Sequence, residues 1–329
     1  MGVRLRFPTT LLEMQRMFPD EKAAAAYLRA VRWPDGFACR HCGWQGDPYV
    51  FENRPTVLRC RKCHHDTSIT SNTVMKDTRT PLLVWFWAAY LVTTQTPGES
   101  ALQIQRQLGL NRYETAFQIL HKLRAAMVRP DIDRIGRNWP VEVDEAYVGG
   151  KTRGEGRGVH HKAIVIGAVE VRTKTEKGGK RPMYAGRLRL RMVKDRGAKE
   201  LETFVTGSVE PHTHIVTDGW VGYDNLNALG YDHKPVVLGG DPEEAEKALP
   251  MIHLVFSNLK AWILGTHHGV SPQHLQAYLN EFVFRFNRRF YPMTAFNSVL
   301  GLASRAEAPT YEALYDGEWT HPNQGNHCQ

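Results

Sequence analysis

The sequence predicts an α/β protein in which a small metal-tied ribbon and a helical region precede a mixed-sheet domain. Three observations predict it. Four cysteines stand as two close pairs, Cys39/Cys42 and Cys60/Cys63, with 17 residues between the pairs. Residues 81–127 place apolar side chains at helical spacing. After Pro140 the pattern changes to short runs whose faces alternate, as strands do.

A chain of 329 residues has room for about two domains. A hydrophobic content of 42% with a net charge of +8 excludes a disordered acidic tail, a collagen-like chain and a small disulfide scaffold. The longest apolar run, 82–92, falls short of the ~20 residues a membrane span needs. No charged-then-apolar leader is visible at 1–6. A soluble protein of the cytosol or bacterial nucleoid, with no membrane partner, is expected. The charge is uneven: residues 1–235 carry +11 and the last 94 carry −3. Residues 151–196 alone hold 14 basic against 4 acidic side chains, a distribution that suits nucleic acid.

Taken in order, 11–31 reads as helix, with the run Lys22-Ala-Ala-Ala-Ala26 inside it. Cys39-x-x-Cys42 and Cys60-x-x-Cys63 then match the spacing of a four-thiolate zinc site. Such a site is structural, because four thiolates leave no open position on a tetrahedral ion. Residues 49–59 between the pairs read as a hairpin turning at Asn53-Arg54-Pro55, which completes a zinc ribbon. Disulfides or a redox pair fit less well without a leader and with two matching pairs. His41, His64 and His65 flank the thiols as surface groups, and Cys328, in the polar tail 321–329, is a spare thiol.

Residues 81–94, apolar nearly all round behind Pro81, read as a buried helix. Two helices follow, 99–108 and 112–127, punctuated at Gly109 as in a helix-turn-helix. Arg112, Lys122 and Arg124 on the second are candidate DNA contacts, and an ordinary helical hairpin fits the same pattern. Residues 131–139 read as a linker.

Strands are expected at 141–148, 162–171 and 185–193, with a Lys/Gly-rich turn at 174–181. Arg187, Arg189 and Arg191 alternate with leucines and so share one strand face, either solvated or set against DNA phosphates. A helix at 198–205 and a strand at 214–218 follow. Three strands in hairpin succession, a helix, a strand and further helices is the order of an RNase H-like domain. There, Asp144 in the first strand and Asp218 at the end of the fourth converge. Two carboxylates so placed suit Mg2+ and two-metal phosphoryl transfer.

The ribbon run 39–63, Thr67-Ser-Ile-Thr-Ser-Asn-Thr-Val-Met75, Val143-Asp-Glu-Ala-Tyr-Val-Gly-Gly150, Thr217-Asp-Gly-Trp-Val-Gly-Tyr223 and the stretch 253–289 together resemble bacterial insertion-sequence transposases of the DDE superfamily. The group is the fifteen-ninety-five insertion-sequence family, with a ribbon ahead of an ISXO-type domain. The resemblance runs from about residue 10 to 305. It implies recognition of terminal inverted repeats in double-stranded DNA, Mg2+- or Mn2+-dependent strand cleavage and strand transfer, and a homo-oligomer on DNA. Carried across by residue, Asp144 and Asp218 fall on the first two acidic positions. The third departs from the acidic pattern: counting back from Gly265-Thr-His-His268 puts Lys260 on a Lys and His253 on a Glu, while Asn258 is the other candidate. Asn258 offers the better oxygen for a hard cation and His253 the better alignment. Lys260 is expected on a phosphate or the leaving group. Glu281 is a remote carboxylate on the next helix. His267 and His268 are expected to shape the helix end, and Arg285, Arg288 and Arg289 form a small basic cluster on the stretch that carries aromatic Tyr278, Phe282, Phe284 and Phe286.

The expected divisions are 1–79 for the first helix and ribbon, 80–139 for the helical region and linker, 140–305 for the catalytic domain and 306–329 for a tail. The missing third carboxylate leaves a second reading, a catalytically inactive, domesticated DNA-binding regulator. A third is an RNase H-like nuclease that cuts without joining.

Overall fold

The computed structural model describes residues 5–128, 133–149, 162–174, 183–236, 248–306 and 309–316. The expected turn at 174–181 beyond Lys174, the tail 321–329 with Cys328, and Gly150 lie outside the described residues. The chain divides into two compact units, one from Met1–Arg129 with Arg288–Trp319 and the other from Pro130–Asn287 with Thr320–Gln329.

The first unit opens with two helices where the spacing predicted one: α1 (Leu11–Met17) and α2 (Glu21–Arg32). Pro19 interrupts the helical run, and Asp20 restarts it by accepting a hydrogen bond from the Ala23 N–H at 2.8 Å. The ribbon is a three-stranded antiparallel sheet, β1 (Tyr49–Val50), β2 (Val57–Arg59) and β3 (Asp66–Ser68). Then comes α3 (Leu82–Thr94), entered at Pro81 and buried on most sides as its composition requires. Its first N–H groups have a distant cap: Glu21 accepts from Leu82 N at 2.7 Å and Leu83 N at 3.1 Å. α4 (Ala101–Gln107) and α5 (Tyr113–Ala126) form the expected helical hairpin. It turns at Gly109, whose φ of +62° suits a residue without a side chain.

Two late helices complete this unit, α9 (Met293–Ala303) and α10 (Tyr311–Asp316). The expected boundary at 305 assigned α9 to the catalytic domain. Its Phe296 instead lies among Phe18, Phe86 and Tyr90, with ring centroids 6.0, 6.0 and 5.9 Å away. The apolar face of α9 is complementary to α3, which explains the return.

The second unit is a five-stranded mixed sheet in the order β6-β5-β4-β7-β8. β4 (Val141–Val148), β5 (Ala163–Thr173) and β6 (Met183–Val193) run antiparallel. β7 (His214–Thr217) lies parallel to β4, and β8 (Asp232–Pro235) parallel to β7. α6 (Ala198–Ser208) covers one face, with Leu201, Phe204 and Val205 against Val141, Val143, Ile166 and Ile215. α7 (Pro250–Trp262) and α8 (Pro272–Phe286) cover the other, burying Ile252, Val255, Phe256, Leu275 and Leu279 against Val165, Val169, Leu188 and Leu190. The result is the RNase H-like α/β arrangement. Burying each Val, Leu or Ile side chain here contributes roughly 1.5–3 kcal/mol.

Candidate active site and cysteine cluster

β4 sets the site. Its pleat sends Val141 and Val143 into the core beneath α6 and sends Glu142 and Asp144 towards α7. The parallel register pairs Val141 with Ile215 and Glu142 with Val216. Carried two residues on, that register sets Asp144 beside Asp218, just past the end of β7. The chain turns away at Gly219 (φ +77°), and Asp218 Oδ1 accepts from Trp220 N at 3.0 Å.

Carboxylate oxygens of Asp144, Asp218 and Glu145 all lie within 4.8 Å of one another. Glu145 escaped the sequence reading because alternation places it on the opposite face from Asp144. At the strand end it nevertheless joins the cluster, held by the Tyr223 hydroxyl, which donates at 2.6 Å, and by the Arg196 guanidinium. Its signal was available as the second acid of Val143-Asp-Glu. Burial, reinforced by the charges of Glu145 and Asp218, pushes the Asp144 carboxyl up to about 7. Burial, then the charge of Glu145, holds the Tyr223 phenol protonated well above its usual range. Three packed carboxylates with one of them inclined to keep its proton form a donor set matched to a hard divalent cation.

α7 delivers the next group. Glu142 is buried, and one of its oxygens accepts from Met251 N and Ile252 N, each at 2.8 Å, which fixes the first turn of the helix. Gly167, opposite Asp144 on β5, lets α7 sit close: a Cβ there would meet Ile252 Cδ1 at 2.8 Å. His253 Nε2 consequently lies 3.4 Å from Asp144 Oδ2. Asn258, preferred from its ligand chemistry, is exposed and about 140° round the helix from His253, so it is His253 that the helix presents to Asp144. Lys260 is exposed two turns beyond His253 on the same face. Glu281 is buried on α8 beside Arg285 at 3.4 Å, serving the helix rather than the cluster. His267 packs against the Trp262 and Tyr278 rings, and His268 ends the π-helical turn Ile263–His267 in a left-handed conformation (φ 57°).

The basic residues differ in their surroundings. Arg187 pairs with Glu170 and Asp133, Arg189 reaches the Asp133 carbonyl at 2.6 Å, and Arg191 lies over the Phe204 ring at 5.3 Å. They share one strand face as expected, and there the three side chains, each partly buried, are engaged by Glu170, Asp133 and the Phe204 ring. On α5, Arg112 is exposed at the N-terminus and Lys122 is half-buried, its ammonium pushed down by that burial. Arg124 is 1% exposed, turned into the helical core and away from any DNA contact. Most of the circumference of α5 is likewise buried, which leaves its N-terminal turn as the accessible part.

In the ribbon, Cys39 and Cys63 Sγ lie 3.7 Å apart, as do Cys42 and Cys60, and all four thiols fall within 4.8 Å of one another. A tetrahedral ion with ~2.3 Å bonds to sulfur has edges of about 3.8 Å. The cluster therefore has the size and ligand set of a structural zinc site. Around it, the Arg61 guanidinium lies 4.2 Å over the exposed Tyr49 ring, and Arg54 and Arg59 lie 4.5 and 5.0 Å over Phe51.

Comparison with known proteins matches the regions that hold both clusters. An ISXO2-like transposase domain model matches residues 137–287, and a transposase zinc-ribbon domain model matches residues 19–66. A Halobacterium salinarum protein described as an uncharacterized protein in transposable element ISH50 is 24% identical over 283 residues, which cover 82% of this chain and 92% of that one. No solved structure matches the chain. With its four-cysteine ribbon, its RNase H-like sheet and its cluster of three carboxylates, the chain belongs to the IS1595 family of DDE-type transposases, enzymes of DNA strand cleavage and strand transfer.

Proposed function

We propose that this transposase recognises the terminal inverted repeats of its element and joins their 3′-ends to target DNA through chemistry centred on Asp144 and Asp218. The observation that carries the reading is the meeting of these two carboxylates with Glu145 across the β4–β7 register, directly beside the helix that carries His253.

Asp144, Asp218 and Glu145 would hold Mg2+ or Mn2+, which supply Lewis acidity to the attacking and leaving oxygens of the phosphodiester. The protein residues supply placement. Tyr223 and Arg196 fix the orientation of Glu145. Glu142 fixes the helix that brings His253 to Asp144, and His253 occupies the third position in the role otherwise given to a carboxylate. Lys260, two turns along, is placed to meet a phosphate. Cys39, Cys42, Cys60 and Cys63 would hold one zinc ion, keeping the ribbon folded without taking part in chemistry. The arginine–aromatic stacks of the ribbon and the exposed Arg112 favour double-stranded DNA as partner. No helix among the described residues is long and apolar enough to cross a membrane; work on DNA in the bacterial nucleoid, as a homo-oligomer bridging paired ends, fits this reading. The cluster of three carboxylates supports an active enzyme over an inactive regulator.

The test is a joining assay on pre-cleaved element ends with added Mg2+. Asp144→Asn and Asp218→Asn are expected to bind the ends normally and form no joined product. Joining at the parent rate by either variant would remove the assignment.

A further inference from the structure

We propose that Trp220 and Arg196 form a nucleotide grip at the rim of the carboxylate cluster, in which the indole stacks on an unpaired base of a DNA end and the guanidinium holds the adjoining phosphate. The proposal rests on the transposase reading and adds a binding subsite to it.

Trp220 is 40% exposed, and Val221 beside it is 68% exposed. A large aromatic left in water is ordinarily mobile, yet this residue is held through its backbone once and through its ring twice. Its backbone N–H donates to Asp218 Oδ1 at 3.0 Å, its Nε1 donates to the Arg196 carbonyl at 3.1 Å, and the Arg196 guanidinium lies 4.3 Å over its ring. The backbone of Trp220 is thus tied to a proposed catalytic carboxylate, and its indole to Arg196. A ring held in advance loses little conformational freedom when a base stacks on it.

Arg196 supplies the charge. Its Nε and Nη2 face Glu145, and Nη2 stands 3.9 Å from Asp218 Oδ2. Nη1 makes no hydrogen bond to any of the described residues. A guanidinium with one edge anchored and another open is suited to a phosphate oxygen. The combination selects for strand geometry, since duplex bases already stack on each other and only a frayed or single-stranded end offers a free face. Such ends occur where an element is cut and joined.

The experiment measures binding of the full-length protein to a fluorescein-labelled DNA hairpin, with and without a short single-stranded 3′ extension, without added divalent cation. The parent should bind the extended hairpin more tightly. Trp220→Ala should weaken that complex by roughly 5- to 150-fold and leave the blunt hairpin unchanged, with zinc content and melting temperature preserved. Trp220→Phe, which keeps a stacking face, should retain most of the preference, and Arg196→Lys, which keeps the charge but not the fork, should lose part of it. A folded Trp220→Ala protein that binds both hairpins like the parent, or loses both equally, overturns the grip. A parent that binds neither hairpin removes the DNA reading beneath it.

Discussion

Asp144 and Glu145 are adjacent residues on opposite faces of one strand, and their contribution to a single cluster shows how much depends on where β4 outruns β7. Past Glu142 the parallel pairing ends, and side chains from both faces turn toward the same open edge. His253 and Asn258 make a second residue-scale contrast. His253→Ala should reduce cation-dependent joining by about 10–100-fold, the usual cost of removing a group that orients a metal ligand, whereas Asn258→Ala should join at the parent rate; single-turnover assays separate the two. Glu170 gives a pH prediction. Burial pushes its carboxyl up, but hydrogen bonds from Arg187, from Arg172 and from the Gly136 N–H outweigh this and hold it below the usual 4.5. A folded carboxyl depressed in this way contributes stability above its unfolded value and loses it as pH falls through the folded one. The urea midpoint of the β4–β8 unit should therefore fall between about pH 5 and pH 3. Glu170→Gln should be less stable at neutral pH, by roughly 3 kcal/mol for breaking a buried pair, and flatter across that acid window.

At the scale of elements, legibility followed the strength of the local pattern. The ribbon was readable because metal geometry dictates Cys-x-x-Cys spacing, and β4 and β7 were readable because apolar residues alternate up to Asp144 and Asp218. β3 and β8 were missed since Asp66-Thr-Ser68 and Asp232-His-Lys-Pro235 carry no apolar alternation; pairing with neighbours, not their own composition, makes them strands. Arg124 was misread although its place was visible: Phe117, Leu120 and Arg124 fall on one helical stripe, and the two apolar members are buried with it. Glu142 and Glu21 were beyond sequence reasoning, as each caps a helix far along the chain. The Glu142 cap predicts that Glu142→Ala frees two helix N–H groups, at a cost of roughly 1–3 kcal/mol. It should raise amide exchange in the first turn of α7 before other helices are affected. For the ribbon, Cys39→Ser should release about one zinc per chain by elemental analysis and expose the amides of β1–β3. Unchanged zinc content would count against the site.

Across the whole molecule, the chain leaves its first unit near residue 129 and returns to it at 288, so residues on both sides of the catalytic sheet build one helical core. Phe296 makes the point, because it is fully buried among Phe18, Tyr27, Phe86 and Tyr90, which lie more than two hundred positions earlier. A division of the chain at the end of the aromatic helix α8 therefore respects the packing, and one at 305 does not. Phe296→Ala removes the ring at the centre of that cluster, and truncations of this kind cost about 3–5 kcal/mol. The loss should appear where the ring packs. Amide exchange should accelerate in α2, α3 and α5, while exchange in β4–β7, whose core draws on Val143, Ile166 and Ile215, keeps its parent rate. If the β4–β7 amides accelerated and those of α3 did not, α9 would belong to the catalytic unit and the division at 288 would be wrong.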